Sequence, residues 1–393
     1  MTREILLTLG DLSICFGQPG LALPVVDNVS FDLARGETLA LVGESGSGKT
    51  LTAKAVMGLL PKAAHVTAGS ATMHLAQREM DLFQLPDAKL RKLRGTTISM
   101  IFQEPMSALS PLHTVGRQVA EVLHVAGLDR GLNVKQRVLE LFEEVGFPHP
   151  ERAWGAYPFE LSGGLRQRAV IAMAMIGEPD LVIADEPTTA LDVTTQAMVL
   201  DLIKRLQHDH RMSVIMITHD LGVVANMADQ VVVMRRGKVV EQGLSRDVLM
   251  SPGHGYTKAL IAAAPQVPDE LRPHAATSND RILTVSNLSK TYPGRSRTFG
   301  PPDPPVKAVT DFQMTLDRGK TIAVVGESGS GKSTVAKLML RAERPDPGAH
   351  IEFCGKDGFV SDVAALQVVG RGVELEEIKA RPIQHQAHEF REL

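Results

Sequence analysis

The run Gly43-Glu44-Ser45-Gly46-Ser47-Gly48-Lys49-Thr50 restricts the fold of this chain more than any other stretch. The apolar segment Thr38-Leu39-Ala40-Leu41-Val42 precedes it and reads as a buried parallel strand. Leu51-Thr52-Ala53-Lys54-Ala55-Val56-Met57 follows and reads as a helix. Strand, glycine-rich turn and helix in that order turn G-x-x-x-x-G-K-[ST] from a string into a phosphate cradle. Gly43, Gly46 and Gly48 let the backbone curl so that successive N–H groups face one concavity. The helix adds its positive end, and Lys49 adds a full charge. Thr50 supplies a hydroxyl suited to Mg²⁺. Such a unit belongs in an α/β fold built on a parallel sheet.

The string occurs twice in the 393 residues, which leave room for two to three domains. Lys332 repeats Lys49 at an offset of 283 (332 less 49), and the match runs without gaps from 25–56 to 308–339. Upstream, Leu7-Thr8-Leu9 aligns with Leu283-Thr284-Val285 at an offset of 276 (283 less 7). The difference is an insertion in the second copy around Gly300-Pro301-Pro302-Asp303-Pro304-Pro305. A repeat of so long a period means duplicated domains, not a solenoid. Residues 265–280, rich in Pro, Asp, Ser and Thr, read as a solvated linker. The expected organisation is a complete domain over 4–264, the linker 265–280, a partial second domain over 281–357 and a divergent tail over 358–393. The second copy keeps a phosphate loop with Gly326, Gly331, Lys332 and Ser333. It is expected to be truncated and poorly packed, because similarity fades after about Gly355 and the counterparts of the later motifs fall beyond Leu393. Gln386 stands at the offset from Gln103 but in no apolar strand, so that match is taken as chance.

Charge and composition exclude some roles. A net charge of −3 gives no footprint for nucleic acid, so no nucleic-acid partner is expected. Cys15 and Cys354 lack metal-ligand spacing and read as two reduced thiols. The amino end has no signal-peptide pattern, and no window reaches the roughly 18 apolar residues that a spanning helix needs.

In the first copy, three more apolar runs read as strands: 97–102 ending at Gln103, 181–184 ending at Asp185-Glu186, and 213–218 ending at His219. Ligands of a parallel sheet sit beyond the carboxyl ends of its strands, so these polar residues converge on one site. Residues 230–243 read as a hairpin about Arg235-Arg236-Gly237-Lys238. Between Gln103 and Leu161 the pattern turns helical. Val134, Val138, Leu141, Phe142 and Val145 share one helix face, with a weaker helix over 116–128. Met173, Met175 and Trp154 are assigned to packing. Leu161-Ser162-Gly163-Gly164-Leu165-Arg166-Gln167-Arg168 then opens a helix. Ser162 is a natural N-cap, and Gly163 and Gly164 leave the helix start bare for an anion.

Taken in this order, the motifs make the first copy resemble the ATP-binding subunits of ABC transporters, whose domain joins a P-loop NTPase parallel sheet to an antiparallel β subdomain and a helical subdomain. The closer resemblance is to the branch serving dipeptide, oligopeptide, nickel, glutathione and microcin-type importers, which has tandem-domain members. It rests on the runs over 102–118, 184–197, 217–225 and 251–265, the last being Ser-Pro-Gly-His-Gly-Tyr-Thr-Lys-Ala-Leu-Ile-Ala-Ala-Ala-Pro. Leu165 departs from the Gln or Glu common in the family.

The resemblance implies an ATPase that energises uptake of peptides or a related small solute. ATP would lie on the loop 43–50, with Glu44, Ser45 and Ser47 among its backbone donors and Phe16 stacked on adenine. The repeat supports Phe16, since Tyr292 occupies its place in the second copy. Thr50, Gln103 and Asp185 would hold Mg²⁺, Glu186 would orient and deprotonate the attacking water, and His219 would contact the γ-phosphate. Ser162, Gly163 and Gly164 would cap ATP held by a second ATP-binding domain, with Asp192 coupling the two sites. Residues 106–118 would receive a helix from one of two membrane permeases, a separate solute-binding protein would deliver cargo, and the subunit would sit on the cytoplasmic face of the inner membrane. Two other readings stand beside this one: a tandem ATPase acting on ribosomes or DNA, disfavoured by the short non-basic linker, and a regulatory module that holds ATP without hydrolysing it.

Overall fold

A computed structural model describes residues 3–17, 23–75, 78–189, 191–263, 280–294, 304–327, 329–354 and 356–357. The tail expected over 358–393, nearly all of the linker 265–280 and Gln386 lie outside the described residues. The chain divides into two compact units, with the boundary between Asp269 and Glu270.

The first unit begins with two long strands, β1 (Ile5–Phe16) and β2 (Val26–Ala34), then β3 (Thr38–Val42), the phosphate loop and α1 (Lys49–Val56). Next come β4 (Ala64–Leu75), β5 (Arg78–Asp81), α2 (Asp87–Leu93) and β6 (Ile98–Ile101). A helical stretch follows, made of α3 (Pro105–Ala108), α4 (Val115–Ala126), α5 (Val134–Glu144), α6 (Pro150–Gly155) and α7 (Gly163–Met175). The unit closes with β7 (Leu181–Asp185), α8 (Val193–His210), β8 (Ser213–Thr218), α9 (Leu221–Met227), β9 (Gln230–Arg235), β10 (Lys238–Leu244), α10 (Ser245–Met250) and α11 (Gly255–Ala262).

Two sheets organise this unit. The larger has the order β10-β9-β3-β8-β7-β6 and is parallel except for β10 at its edge. Every residue of β3, β7 and β8 is buried, as expected for parallel strands covered on both faces. The pleat sorts their side chains between the two faces of the sheet, with Ala40 and Val42 packing against Val231, Val233 and Tyr256. Val182, Ala184, Val214 and Met216 pack with α7 and α8, whereas Leu39, Leu41, Ile183, Ile215 and Ile217 pack with β1, β2 and α1. The smaller sheet, β2-β1-β4-β5, is antiparallel. The chain therefore has the mixed α/β architecture expected from its motifs.

The ends of elements differ slightly from the sequence pattern. The strand expected over 97–102 keeps only Ile98–Ile101 (β6), so Phe102 and Gln103 leave the sheet. The helix through Val134 stops at Glu144; Val145 is its C-cap, although it remains buried. The weaker helix expected over 116–128 forms as α4 and ends at Gly127, whose φ of 70° closes it. Trp154 packs on the helical core directly against Gly116, where an added Cβ would stand 2.5 Å from the indole ring.

In the second unit, β11 (Arg281–Tyr292) pairs with β12 (Val306–Asp317), and after the second loop come α12 (Lys332–Met339), β13 (His350–Phe353) and β14 (Lys356–Asp357). Its sheet order is β12-β11-β13-β14, over a small core of Val285, Leu288, Val309, Val335, Leu338 and Ile351. β1 and α1 recur in β11 and α12 at the two repeat offsets, but β3 does not. Residues 321–325, the repeat counterpart of Thr38–Val42, form no strand, and Ile322, Val324 and Val325 are exposed. β3 is held between β8 and β9, and the described residues of the second unit supply no parallel neighbour of that kind.

Candidate active site

The phosphate loop leaves the carboxyl end of β3 and closes on α1. Gly43 and Gly48 have φ of 152° and 101°. At Gly43 a Cβ would lie 2.1 Å from the Met234 carbonyl oxygen, so both conformation and space demand glycine there. Lys49 is buried across the loop: its Nζ donates to the Gly43 and Glu44 carbonyls at 2.7 and 2.9 Å and to Ser47 Oγ at 3.3 Å. Burial lowers its pKa, opposed by the charges of Glu186, Asp185 and Glu44. The ammonium thus spans the loop, resting on two carbonyls and a hydroxyl.

The residues that end the neighbouring strands meet this loop. Thr50 Oγ1 donates to Asp185 Oδ1 at 3.0 Å, joining α1 to the end of β7. Burial pushes the Asp185 carboxyl up, against the Thr50 hydrogen bond and the charges of Lys54 and Lys49. A buried carboxylate beside a hydroxyl and a lysine fits a Mg²⁺–phosphate group, because Mg²⁺ is usually held by one or two carboxylates together with substrate oxygens.

Glu186 follows at a φ of 45°, its amide donating to the Ile217 carbonyl at 3.0 Å. Three side chains surround its carboxylate. Gln103 Nε2 donates to Oε2 at 2.9 Å and Thr189 Oγ1 donates to the same oxygen at 2.8 Å. His219 Nδ1 lies 3.2 Å from Oε1. Burial alone would raise the Glu186 pKa, but the hydrogen bonds of Thr189 and His219 and the charges of His219 and Lys49 bring it below the usual carboxylate value. Gln103, Asp185, Glu186 and His219 thus come together at the carboxyl ends of β6, β7 and β8.

The other predicted residues stand in separate places. Phe16 ends β1, opposite Ala64, with its ring partly exposed. Ser162 caps α7, its Oγ accepting from the Leu165 amide at 3.3 Å. Gly163 lies beside Leu191, and a Cβ on Gly164 would come within 2.9 Å of Thr195 Cγ2. Asp192 caps α8, accepting from the Thr195 amide and hydroxyl at 3.0 and 2.8 Å. Thr195 thus joins the start of α7 at Gly164 to the Asp192 cap of α8.

The loop of the second unit repeats the first. Lys332 Nζ donates to the Gly326 and Glu327 carbonyls at 2.7 and 2.6 Å and to Ser330 Oγ at 3.4 Å, and Gly331 caps α12 in the left-handed conformation. Ser333 is the second residue of α12, and the Tyr292 hydroxyl is bonded to the Glu343 carboxylate.

Sequence reasoning passed over two side chains in contact with the site. Thr189 lies in the Asp-Glu-Pro-Thr-Thr run, and its hydroxyl type was the available signal. Tyr256 Oη accepts from the Glu44 amide at 3.1 Å, a contact between residues 212 apart in sequence.

The profile described as ABC transporter matches residues 26–189 and 309–369, more than half of the chain. The chain belongs to the ABC transporter family. The match spans both phosphate-loop strings and the acidic end of β7. The chain is 46% identical over 336 residues to the peptidoglycan transport ATP-binding protein YejF of Agrobacterium fabrum, covering 86% of this chain and 60% of that protein. It is 40% identical over 397 residues to the glutathione import ATP-binding protein GsiA of Escherichia coli K12, covering 94% and 63%. The chain therefore spans about three fifths of the length of these relatives. Among solved structures, the dimeric bacterial ABC transporter cassette MJ0796 aligns with 61% of this chain and 99% of its own, at 27% identity and a TM-score of 0.53. The same cassette has been solved as a dimer in a post-hydrolysis state bound to ADP and Pi. An ABC transporter cassette is thus the architecture with which the larger part of this chain aligns.

Proposed function

We propose that the first unit binds and hydrolyses ATP as the motor of an importer for peptides or a related small solute. The convergence of Lys49, Thr50, Gln103, Asp185, Glu186 and His219 on the ends of parallel strands carries this reading. The Lys49 ammonium would keep the Gly43 carbonyl and turn its other donors from Glu44 and Ser47 to the β- and γ-phosphates, and Phe16 would stack on adenine. Thr50 and Asp185, with Gln103, would hold Mg²⁺, which neutralises charge on the phosphate oxygens. Glu186 orients a water in line with the γ-phosphorus and accepts its proton. The new bond forms from the water oxygen to phosphorus, and the bond to the bridging oxygen breaks, releasing ADP and phosphate. His219 contacts the γ-phosphate and keeps Glu186 ionised.

Ser162, Gly163, Gly164 and Asp192 would complete a site held by a second ATP-binding domain, in agreement with the dimeric cassette to which the chain is similar. Residues 106–118 would receive a helix of a membrane permease, and Ala108 of that run lines, with Met57, Leu59, Phe102, Val122 and Met173, a cavity of about 220 Å³. The cavity would seat an apolar residue of that helix, so that closure on ATP moves the permease. Two permeases and a separate solute-binding protein complete the assembly, with this subunit on the cytoplasmic face of the inner membrane. No described helix is long and apolar enough to cross a membrane. The second loop, at Gly326, Gly331, Lys332 and Ser333, would take phosphate in the same manner.

The test is phosphate release by the purified chain with Mg²⁺ and ATP. Saturable turnover, lost in Lys49→Ala together with ATP binding, is the expected result. Turnover unchanged by that substitution would refute the reading.

A further inference from the structure

The segment that closes the first unit contacts the phosphate loop from outside. Glu241 on β10 anchors it: the carboxylate accepts from the Gly253 and His254 amides at 2.6 and 3.1 Å. Burial opposes ionisation of Glu241, but the hydrogen bonds from the Gly253 and His254 amides and the charge of His254 hold its pKa below the ordinary value. Tyr256, the second residue of α11, then packs among Ala40, Val42, Val231 and Val233. The Arg235 guanidinium lies 4.7 Å from the centre of the Tyr256 ring. The ring is thus fixed by apolar side chains and a cation, and its buried hydroxyl oxygen accepts from the Glu44 amide.

That amide belongs to the peptide unit joining Gly43 to Glu44. The N–H and C=O of a trans peptide point in opposite directions. The N–H of this unit meets Tyr256, while its C=O, on Gly43, accepts from Lys49 Nζ at 2.7 Å. Gly43 gives the unit freedom to turn over, since a glycine tolerates either orientation. One hydroxyl therefore selects the orientation that keeps Lys49 in the loop.

We propose that Tyr256 is a positioning residue for the phosphate loop: it pins the 43–44 peptide plane and thereby holds Lys49 where the phosphates of ATP bind. This rests on the ATP reading above. It gives a function to the run 251–265, which the hydrolysis chemistry leaves unused. The hydroxyl acts on binding and not on the proton transfer at Glu186, so its loss weakens affinity while sparing the chemical step.

The test compares the whole chain with Tyr256→Phe, which keeps the ring, its packing and the Arg235 contact. The expected result is a Kd for Mg·ATP raised about 3- to 10-fold, as for one lost hydrogen bond, with kcat at saturation within about two-fold of the parent. Amide exchange across 43–48 should quicken while exchange in α11 and the melting temperature stay unchanged. Unaltered affinity and loop exchange in Tyr256→Phe, with Lys49→Ala still abolishing binding, would overturn the proposal and leave the ATP reading in place. Weaker binding accompanied by a lower melting temperature and faster exchange throughout α11 would also overturn it, showing a packing role only. Absence of ATP binding by the parent chain would remove both.

Discussion

Glu186 carries more hydrogen bonds than a surface carboxylate needs, and their number has a chemical consequence. Burial opposes its ionised form, but the Thr189 and His219 hydrogen bonds and the nearby charges outweigh it, so Glu186 remains a base at pH values where an ordinary glutamate begins to protonate. Because the folded pKa is depressed, hydrolysis should persist above that lowered value and fail as pH drops through it. Thr189→Val removes one donor, so the acid limb of the kcat profile should move to higher pH; an unmoved limb would show that Thr189 does not tune Glu186. Glu186→Gln keeps the shape of the side chain and removes the proton acceptor. It should bind ATP, lose at least about a hundredfold in kcat and accumulate as a closed dimer, which single-turnover assays and sedimentation would detect.

At the scale of elements, close contact decides which residues a helix can carry. Alanine in place of a helical glycine ordinarily gains up to about 1 kcal/mol. On α4, however, a Cβ at Gly116 would stand 2.5 Å from the Trp154 ring. Gly116→Ala should therefore destabilise the first unit by about 1–3 kcal/mol through overpacking, read as a lower midpoint in denaturant. A midpoint equal to or above that of the parent would show that α6 yields without cost. The same contact explains the single tryptophan, which sequence alone assigned to packing without naming its partner. The short end of β6 has a comparable cause. Once Phe102 and Gln103 leave the ladder, the Gln103 amide is free to reach Glu186 on the neighbouring strand end.

Across the whole molecule, two similar apolar strings behave differently because their surroundings differ. Thr38–Val42 and 321–325 agree at three of five positions, differ elsewhere only among aliphatic residues and both precede a phosphate loop, yet the first is wholly buried and the second exposed. Local propensity cannot supply the hydrogen-bond partners that β8 and β9 give to β3. Native-state hydrogen exchange should find the β3 amides among the slowest in the chain and those of 321–325 orders of magnitude faster. Equal protection in the two segments would contradict this account. Lys332 nonetheless holds its loop as Lys49 does, since that geometry is set within eight consecutive residues.

The sequence by itself determined the phosphate loops, the α/β class and the strand-end residues Asp185, Glu186 and His219, because each is written in consecutive residues whose period and chemistry act locally. It also carried the repeat, which needs only the chain compared with itself. Tertiary structure decided which side chains meet across long separations: Thr50 with Asp185, Gln103 with Glu186, and Tyr256 with the Glu44 amide. Such pairings depend on strand order and on how helices pack over the sheet. No local periodicity encodes them, so a hydroxyl 212 residues from its partner is legible only once the chain has folded.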